Sequence, residues 1–141
     1  MSDKKYKILT EFVSDLSSET KDVETYIFVK DNISKYNLGI DIISKALKDK
    51  VIEIKTNFKF EDKTGNPKKS YFEITYTTII KVDEEIKEKK DLERIILCDA
   101  QNEIYPRMEK VFVNLLDSSG YKGIKFDKKI DFEKLYTQRN N

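Results

Sequence analysis

The 141-residue chain contains no histidine and a single cysteine, Cys98. Without histidine there is no Ser–His or Cys–His pair for nucleophilic catalysis, and the commonest zinc ligand is missing. A lone cysteine cannot form an internal disulfide, which favours a reducing compartment. Because Cys98 follows Ile95, Ile96 and Leu97, we expect a buried structural thiol rather than a nucleophile.

Glycine is scarce and long apolar runs are missing. None of the four glycines forms a G-x-G pattern, and the sequence has no phosphate loop, metal-ligand spacing or nucleophile elbow. The longest apolar run is about four residues, far below the roughly 18 that suggest a membrane span. The N-terminal segment MSDKKYK has no apolar stretch after its charges. We therefore expect a cytoplasmic non-enzyme without cofactor, metal or direct membrane insertion.

The charges are numerous but balanced, with 27 Lys and Arg against 26 Asp and Glu. A chain without a net field of one sign does not draw nucleic acid or an anionic membrane to itself over long range. Eight Phe, eight Tyr and strongly periodic apolar positions indicate a folded chain. The length predicts one domain over residues 1–141.

Alternation of apolar and polar residues predicts four strands. They span residues 6–16, 36–42, 51–60 and 71–82. In the first strand, one face is expected to carry Ile8, Phe12 and Leu16, and the other Leu9, Glu11, Val13 and Asp15. In the fourth strand, Tyr71 and Glu73 are two residues apart and should both point to water. Residues 17–31 are long enough for a crossover, whereas the short later connections favour an antiparallel meander.

The period then becomes helical, which gives an α+β class. Asp91 is a candidate cap for a short helix that ends near Cys98. Pro106 suits the first turn of a new, longer helix whose apolar residues are Met108, Val111, Phe112, Leu115 and Leu116. Gly120 should end that helix, and Asp131 should cap a last short helix with Phe132, Leu135 and Tyr136 on one side.

Four segments carry a family resemblance. Residues 102–106 place an aromatic and a proline at the long helix, and residues 117–120 end it with small residues. Residues 131–136 match an (N/D)-F-x-x-L-(F/Y) helix start, and residues 15–19 hold an Asp and a Glu four apart. In these segments and in element order, over about residues 6–138, the chain resembles the SecB protein-export chaperone family. Members of that family are typically acidic, whereas this chain is balanced.

The resemblance implies a four-stranded antiparallel sheet with a crossover after strand one, followed by a long and a short helix. It implies an ATP-independent chaperone that holds unfolded precursor proteins and delivers them to the SecA motor. It also implies a homotetramer, a dimer of dimers. The residues that match the family's SecA contacts are Asp15, Glu19, Tyr71 and Glu73. Those that match its client groove, and that equally suit an ordinary core, are Phe12, Tyr36, Leu38 and Tyr136.

Three alternatives remain at this stage. A SecB-like chaperone that guards an antitoxin would have the same fold and a different client. A sheet that binds single-stranded nucleic acid could stack bases on its Tyr and Phe residues, although its strands interleave acids with lysines. An enzyme would need paired carboxylates that converge in a closed pocket.

Overall fold

The computed structural model describes residues 5–126 and 130–139. It contains one antiparallel sheet of four strands, β1 (Tyr6–Glu19), β2 (Asn37–Ala46), β3 (Val51–Glu61) and β4 (Tyr71–Val82). The strand order is β1-β4-β3-β2, so the chain leaves β1 at one edge and re-enters the sheet at the other. This arrangement confirms the predicted crossover and the three-stranded meander that follows it.

The crossover contains a helix, α1 (Val23–Asn32), where the sequence pattern indicates only a connection. Its apolar residues lie on both sides of the helix. Val29 is fully buried, whereas Val23 and Ile27 are 72% and 57% exposed. An apolar stripe confined to one face is what reveals a helix in a sequence, and this segment lacks one.

One continuous helical stretch follows the sheet, where two separate helices were predicted. It consists of α2 (Lys89–Arg94), a π-helical turn (Ile95–Asp99) and α3 (Ala100–Ser118). The prediction that Pro106 opens a new helix is wrong, because Pro106 lies inside α3. Pro106 removes one backbone hydrogen bond from the helix. The helix nevertheless continues past Pro106, and the neighbouring Tyr105 is buried against Phe58 of the sheet.

The ends of the last two helices match the prediction. Gly120 follows α3 with φ +96°, a left-handed conformation that terminates the helix. Asp131 accepts a hydrogen bond from the backbone N–H of Lys134 at 3.0 Å and caps α4 (Phe132–Arg139). Leu135 does not join the buried side of α4, since it is 43% exposed.

Within the part of the chain that the structure describes, the helices cover one face of the sheet and leave the other open. Phe58 of β3 packs against Tyr105 and Phe112 of α3, with ring centroids 5.9 and 6.4 Å apart. Cys98 lies in the same core, as predicted, and burial raises the pKa of its thiol. None of the helices within residues 5–126 and 130–139 is long and apolar enough to cross a membrane.

Two β-bulges in β1 change which residues share a face. The register with β4 shifts at Leu9 and at Ser14, and each extra residue reverses the alternation. Phe12 therefore lies opposite Thr77 on the open face, so the prediction that it shares a face with Ile8 and Leu16 is wrong.

Glu11 lies on the covered side of β1 because of these bulges. There it forms a two-pronged ion pair with Arg107 of α3 and accepts a 2.6 Å hydrogen bond from the hydroxyl of Tyr76. The hydrogen bond from Arg107 holds the pKa of Glu11 below its ordinary value. This contact ties the edge strand to the long helix.

Candidate functional site: an apolar groove and an open sheet face

An apolar groove of about 800 Å³ lies at the β2 edge of the sheet. Its walls come from the turn before β2, from β2 and β3 themselves, and from the segment after α3. The apolar lining residues are Ile33, Tyr36, Leu38, Phe60, Ile124, Phe126 and Ile130. Most of these side chains are only half-buried, so water contacts apolar surface that the fold itself does not use.

Aromatic rings form the floor of the groove. Phe60 lies between Tyr36 and Phe126, with ring centroids 5.4 Å from each. Phe126 also stacks on Phe112 of the core at 6.0 Å. The hydroxyl of Tyr36 accepts a 2.9 Å hydrogen bond from the backbone N–H of Ser70, which fixes the ring. These contacts hold the rings against one another, so a bound side chain would meet a preformed apolar surface.

The outer edge of β2 borders this groove. Within the described residues, β2 pairs with β3 alone, so its other edge presents free backbone N–H and C=O groups. An extended peptide can add to such an edge as a further strand. The groove thus offers both side-chain burial and backbone hydrogen bonds to an extended chain.

The structure brings two of the four predicted client residues together. Tyr36 and Leu38 line the groove. Phe12 lies on the open face of the sheet, and Tyr136 of α4 is buried in the core, where its hydroxyl donates to the carbonyl of Lys90 at 3.3 Å.

The groove residues after α3 were not identified from the sequence. Ile124, Phe126 and Ile130 belong to a segment without helical period. Ile124 and Phe126 are two residues apart after Gly123, which is the spacing of an extended segment with one apolar side. That spacing is the signal that could have indicated these groove residues.

The four predicted SecA contacts lie together on the open face of the sheet. Glu19 is directly opposite Tyr71 across the β1–β4 pair, and Ser17 is opposite Glu73. Asp15 is opposite Thr75 in the next row of the same face. The prediction that Tyr71 and Glu73 project from the uncovered side is confirmed.

Glu73 is held in place as a charged carboxylate. One of its oxygens accepts a hydrogen bond from the hydroxyl of Tyr71, and the other accepts one from the amide of Asn57 at 2.7 Å. These two bonds, that from Tyr71 above all, keep the pKa of Glu73 below its ordinary value. The same bond, together with burial, raises the pKa of Tyr71 to about 12. The fixed negative charge is suited to pair with a cation on a partner.

The edge strand β1 carries further exposed apolar side chains. Val13 and Leu16 project toward the helix side of the sheet but are 37% and 43% exposed. Within the described residues, only β4 pairs with β1. This edge therefore combines unpaired backbone with uncovered apolar surface.

A groove beside a free strand edge on an α+β fold is consistent with a protein that holds polypeptides. The family model described as preprotein translocase subunit SecB matches residues 1–141. The chain belongs to the SecB family. A putative protein-export protein SecB from Pelagibacter ubique (strain HTCC1062) is 59% identical over 136 residues, which cover 96% of this chain and 97% of that protein. The protein-export protein SecB of Parvibaculum lavamentivorans is 22% identical over 134 residues, 95% of this chain and 78% of that protein.

A solved SecB-like structure shows the same fold. The Mycobacterium tuberculosis SecB-like chaperone, in complex with a ChAD peptide from the HigA1 antitoxin, matches with a TM-score of 0.68 at 8% identity. The match covers 89% of this chain and 88% of that one. The predicted SecB-like fold is thereby confirmed. SecB proteins are chaperones for preprotein export and not enzymes, and this chain shares that function.

Proposed function

We propose that this SecB chain holds unfolded precursors in the groove beside β2 and delivers them to the SecA motor through the open face of the sheet. One observation carries the first half of this proposal: half-buried apolar residues, Leu38 and Phe126 among them, line a groove that adjoins a free strand edge. A relative at 59% identity is named for protein export, which favours precursors over an antitoxin as clients.

Client binding follows from the chemistry of the groove. Full burial of one Leu- or Phe-sized side chain is worth roughly 1.5–3 kcal/mol, and backbone pairing along β2 requires no particular sequence. Such a site accepts many extended chains and releases them without ATP. Within this proposal Tyr36 and Leu38 contact clients, Tyr136 anchors α4, and Phe12 belongs to the open face.

The first experiment compares two substitutions on β2. Leu38→Asn removes an apolar group from the groove, whereas Ile43→Asn removes one of similar size from the opposite face of the same strand. We expect Leu38→Asn to weaken the binding of a urea-unfolded precursor about five- to tenfold, because the groove loses a contact. The affinity for the precursor is measured by titration, and the holding of the precursor is measured by suppression of its aggregation without ATP. Equal losses in the two variants, at matched melting temperatures, would contradict the groove assignment.

Motor docking is proposed at Asp15, Glu19, Tyr71 and Glu73. These residues lie on the side of the sheet opposite the groove lining, so a client and the motor can bind at the same time. Glu73→Lys replaces the hydrogen-bonded carboxylate by a cation and should weaken SecA binding about tenfold or more, with client affinity unchanged. Glu24→Lys, at an exposed position of α1, makes the same charge change away from the sheet. An equal effect of both variants on SecA binding would mean that the open face is not the docking site.

The proposal includes a cytoplasmic homotetramer, a dimer of dimers, in which residues 1–141 act as one domain. The uncovered edge of β1, with Val13 and Leu16, supports assembly because a second copy would cover it.

A further inference from the structure

Two residues of the proposed docking face, Glu19 and Tyr71, form the last cross-strand pair of β1 and β4, here called the terminal pair. The pairing of β3 with β4 already ends at Phe60 and Phe72. Within the described residues, Tyr71 is thus paired on one side only. The end of a strand opens more readily than the middle of a sheet. The positions of Glu19 and Tyr71 therefore depend on the contacts that hold this end of the sheet closed.

Such contacts come from a cluster of hydroxyl groups, Thr20, Ser70 and Tyr121. The hydroxyls of Thr20 and Ser70, the residues next to the terminal pair, are hydrogen-bonded at 2.7 Å. The Ser70 hydroxyl is also bonded to that of Tyr121 at 3.0 Å, and both of these residues are buried. Ser18 adds a 2.7 Å bond to Ser119. Because Ser119 and Tyr121 follow α3, the end of the sheet is bonded to the segment after the long helix.

The hydroxyl cluster is connected to the groove through Tyr36. The backbone N–H of Ser70 donates a 2.9 Å hydrogen bond to the Tyr36 hydroxyl. The ring of Tyr36 lines the groove and packs against Phe60, with ring centroids 5.4 Å apart. Ser70 thus bonds a groove residue with its N–H and the hydroxyl cluster with its side chain. Tyr71 is the next residue in the chain, so the groove and the docking face meet at adjacent positions.

A client in the groove should strengthen this connection. A client side chain that packs on Tyr36 restricts the ring and keeps its hydroxyl within reach of the Ser70 N–H. Opening of the terminal pair then becomes less favourable, because it would separate Ser70 from its acceptor. When one ligand orders the residues that a second ligand needs, the second one binds at a lower entropy cost. The effect is reciprocal, so the motor would also favour a filled groove.

We propose that Thr20, Ser70 and Tyr121 are positioning residues for the docking face, and that Tyr36 makes their effect depend on the client. A client in the groove holds the terminal pair closed, and SecA binds the loaded chaperone more tightly than the empty one. This inference rests on the proposed function. The net contribution of one hydrogen bond corresponds to about two- to tenfold in an equilibrium constant, which sets the size of the effect.

The test compares the SecA affinity of the empty chaperone with that of the chaperone saturated with a urea-unfolded precursor. Saturation makes the ratio of the two dissociation constants independent of how tightly each variant binds the precursor. Tyr36→Phe removes the acceptor of the Ser70 N–H and keeps the ring. Tyr6→Phe is the matched control, because it removes a hydroxyl that donates to Glu103 at 2.6 Å at the opposite end of β1. Circular dichroism and native mass verify that the variants are intact.

We expect the precursor to tighten SecA binding about two- to tenfold in the unsubstituted protein and in Tyr6→Phe, and to have no effect in Tyr36→Phe. Ser70→Ala removes the bonds to Thr20 and Tyr121 and should lose the effect as well. A general loss of stability would not change this ratio. The inference is overturned if Tyr36→Phe retains the ratio of the unsubstituted protein, or if the unsubstituted protein shows no effect of the precursor.

Amide hydrogen exchange measures the positioning in the absence of the motor. The precursor should slow exchange about two- to tenfold at residues 18–20 and 71–72 of the unsubstituted protein and leave it unchanged in Tyr36→Phe. Exchange at these residues that does not respond to the precursor overturns the inference. The proposed function stands in that case, provided that Glu73→Lys weakens SecA binding. Absence of SecA binding by the unsubstituted protein overturns the proposed docking and this inference with it.

Discussion

At the scale of single residues, the polar groups of the core show where stability can be gained or lost. Thr56 of β3 donates a 3.0 Å hydrogen bond to the side-chain oxygen of Gln101, and the amide of Gln101 donates to the carbonyl of Ile96 at 3.2 Å. Thr78 of β4 is equally buried, but within the described residues its hydroxyl has no hydrogen-bond partner. A buried polar group without a partner costs about 1–3 kcal/mol.

Thr78→Val is therefore expected to raise the free energy of unfolding by about 1 kcal/mol, since valine keeps the shape and removes the unpaired hydroxyl. Thr56→Val is the matched control. It leaves the Gln101 oxygen without its donor and should lower the free energy of unfolding by about 1–2 kcal/mol. Urea denaturation of both variants measures the difference. A decrease in the free energy of unfolding for Thr78→Val as well would mean that Thr78 is hydrogen-bonded in solution.

At the scale of elements, the junction after α3 depends on one glycine. Gly120 has φ +96°, and the ring of Tyr26 in α1 lies against it, with the Tyr26 hydroxyl donating to the Gly120 carbonyl at 2.8 Å. A Cβ at position 120 would lie 2.7 Å from that ring. The crossover helix and the end of the long helix are therefore joined at a place where only glycine fits.

Gly120→Ala should lower the free energy of unfolding by about 2–4 kcal/mol, which combines left-handed strain with the clash. Gly123→Ala is the control, because Gly123 also has positive φ, at 78°, but a Cβ added there would have no atom of the described residues within 4 Å, apart from its chain neighbours. It should show only the strain, about 1–2 kcal/mol. Thermal unfolding followed by circular dichroism gives both values. If the two variants are equally destabilised, the contact with Tyr26 contributes nothing.

Elements with a single, regular period could be predicted from the sequence. β4 alternates without interruption and its two faces follow directly, which is why Tyr71 and Glu73 were placed correctly. β1 contains the same kinds of residues, but its bulges at Leu9 and Ser14 leave no mark in the alternation. The capping residue Asp22, whose side chain accepts a 2.8 Å bond from the Thr25 N–H, was a signal for α1 that apolar periodicity could not supply.

At the scale of the whole molecule, β1 stands out because four of its large apolar side chains, Leu9, Phe12, Val13 and Leu16, are exposed. We expect the native mass in solution to be about 66 kDa, four copies of a 16.6 kDa chain. Val13→Asp/Leu16→Asp should lower this mass, because two carboxylates would be buried at the proposed interface. Phe12→Asp changes a neighbouring residue on the opposite face and should leave the mass unchanged. Multi-angle light scattering measures it. A monomeric mass for the unsubstituted protein would contradict the assembly.

The candidate sites differ in how far the sequence could reveal them. In the proposed docking face, strand period was enough to place Tyr71 and Glu73 of β4 on the uncovered side, whereas Asp15 and Glu19 of the bulged β1 were indicated by the family resemblance alone. The groove joins residues near 36, 60 and 125, which come together only through the crossover and the turn after α3. Tyr136 matches a family position in sequence, but the packing of α4 places it in the core, and no one-dimensional pattern carries that information.

Under the proposed function, the outer edge of β2, which pairs with no other strand within the described residues, has a consequence for how cargo and motor meet. A precursor segment that adds to this edge becomes a fifth strand, and every second side chain of that strand points to the same side as the acidic rows. The motor would then rest partly on the cargo itself. Loaded and empty chaperones would therefore present sheet faces of different width. The motor could recognise a loaded chaperone without any conformational change in the chaperone.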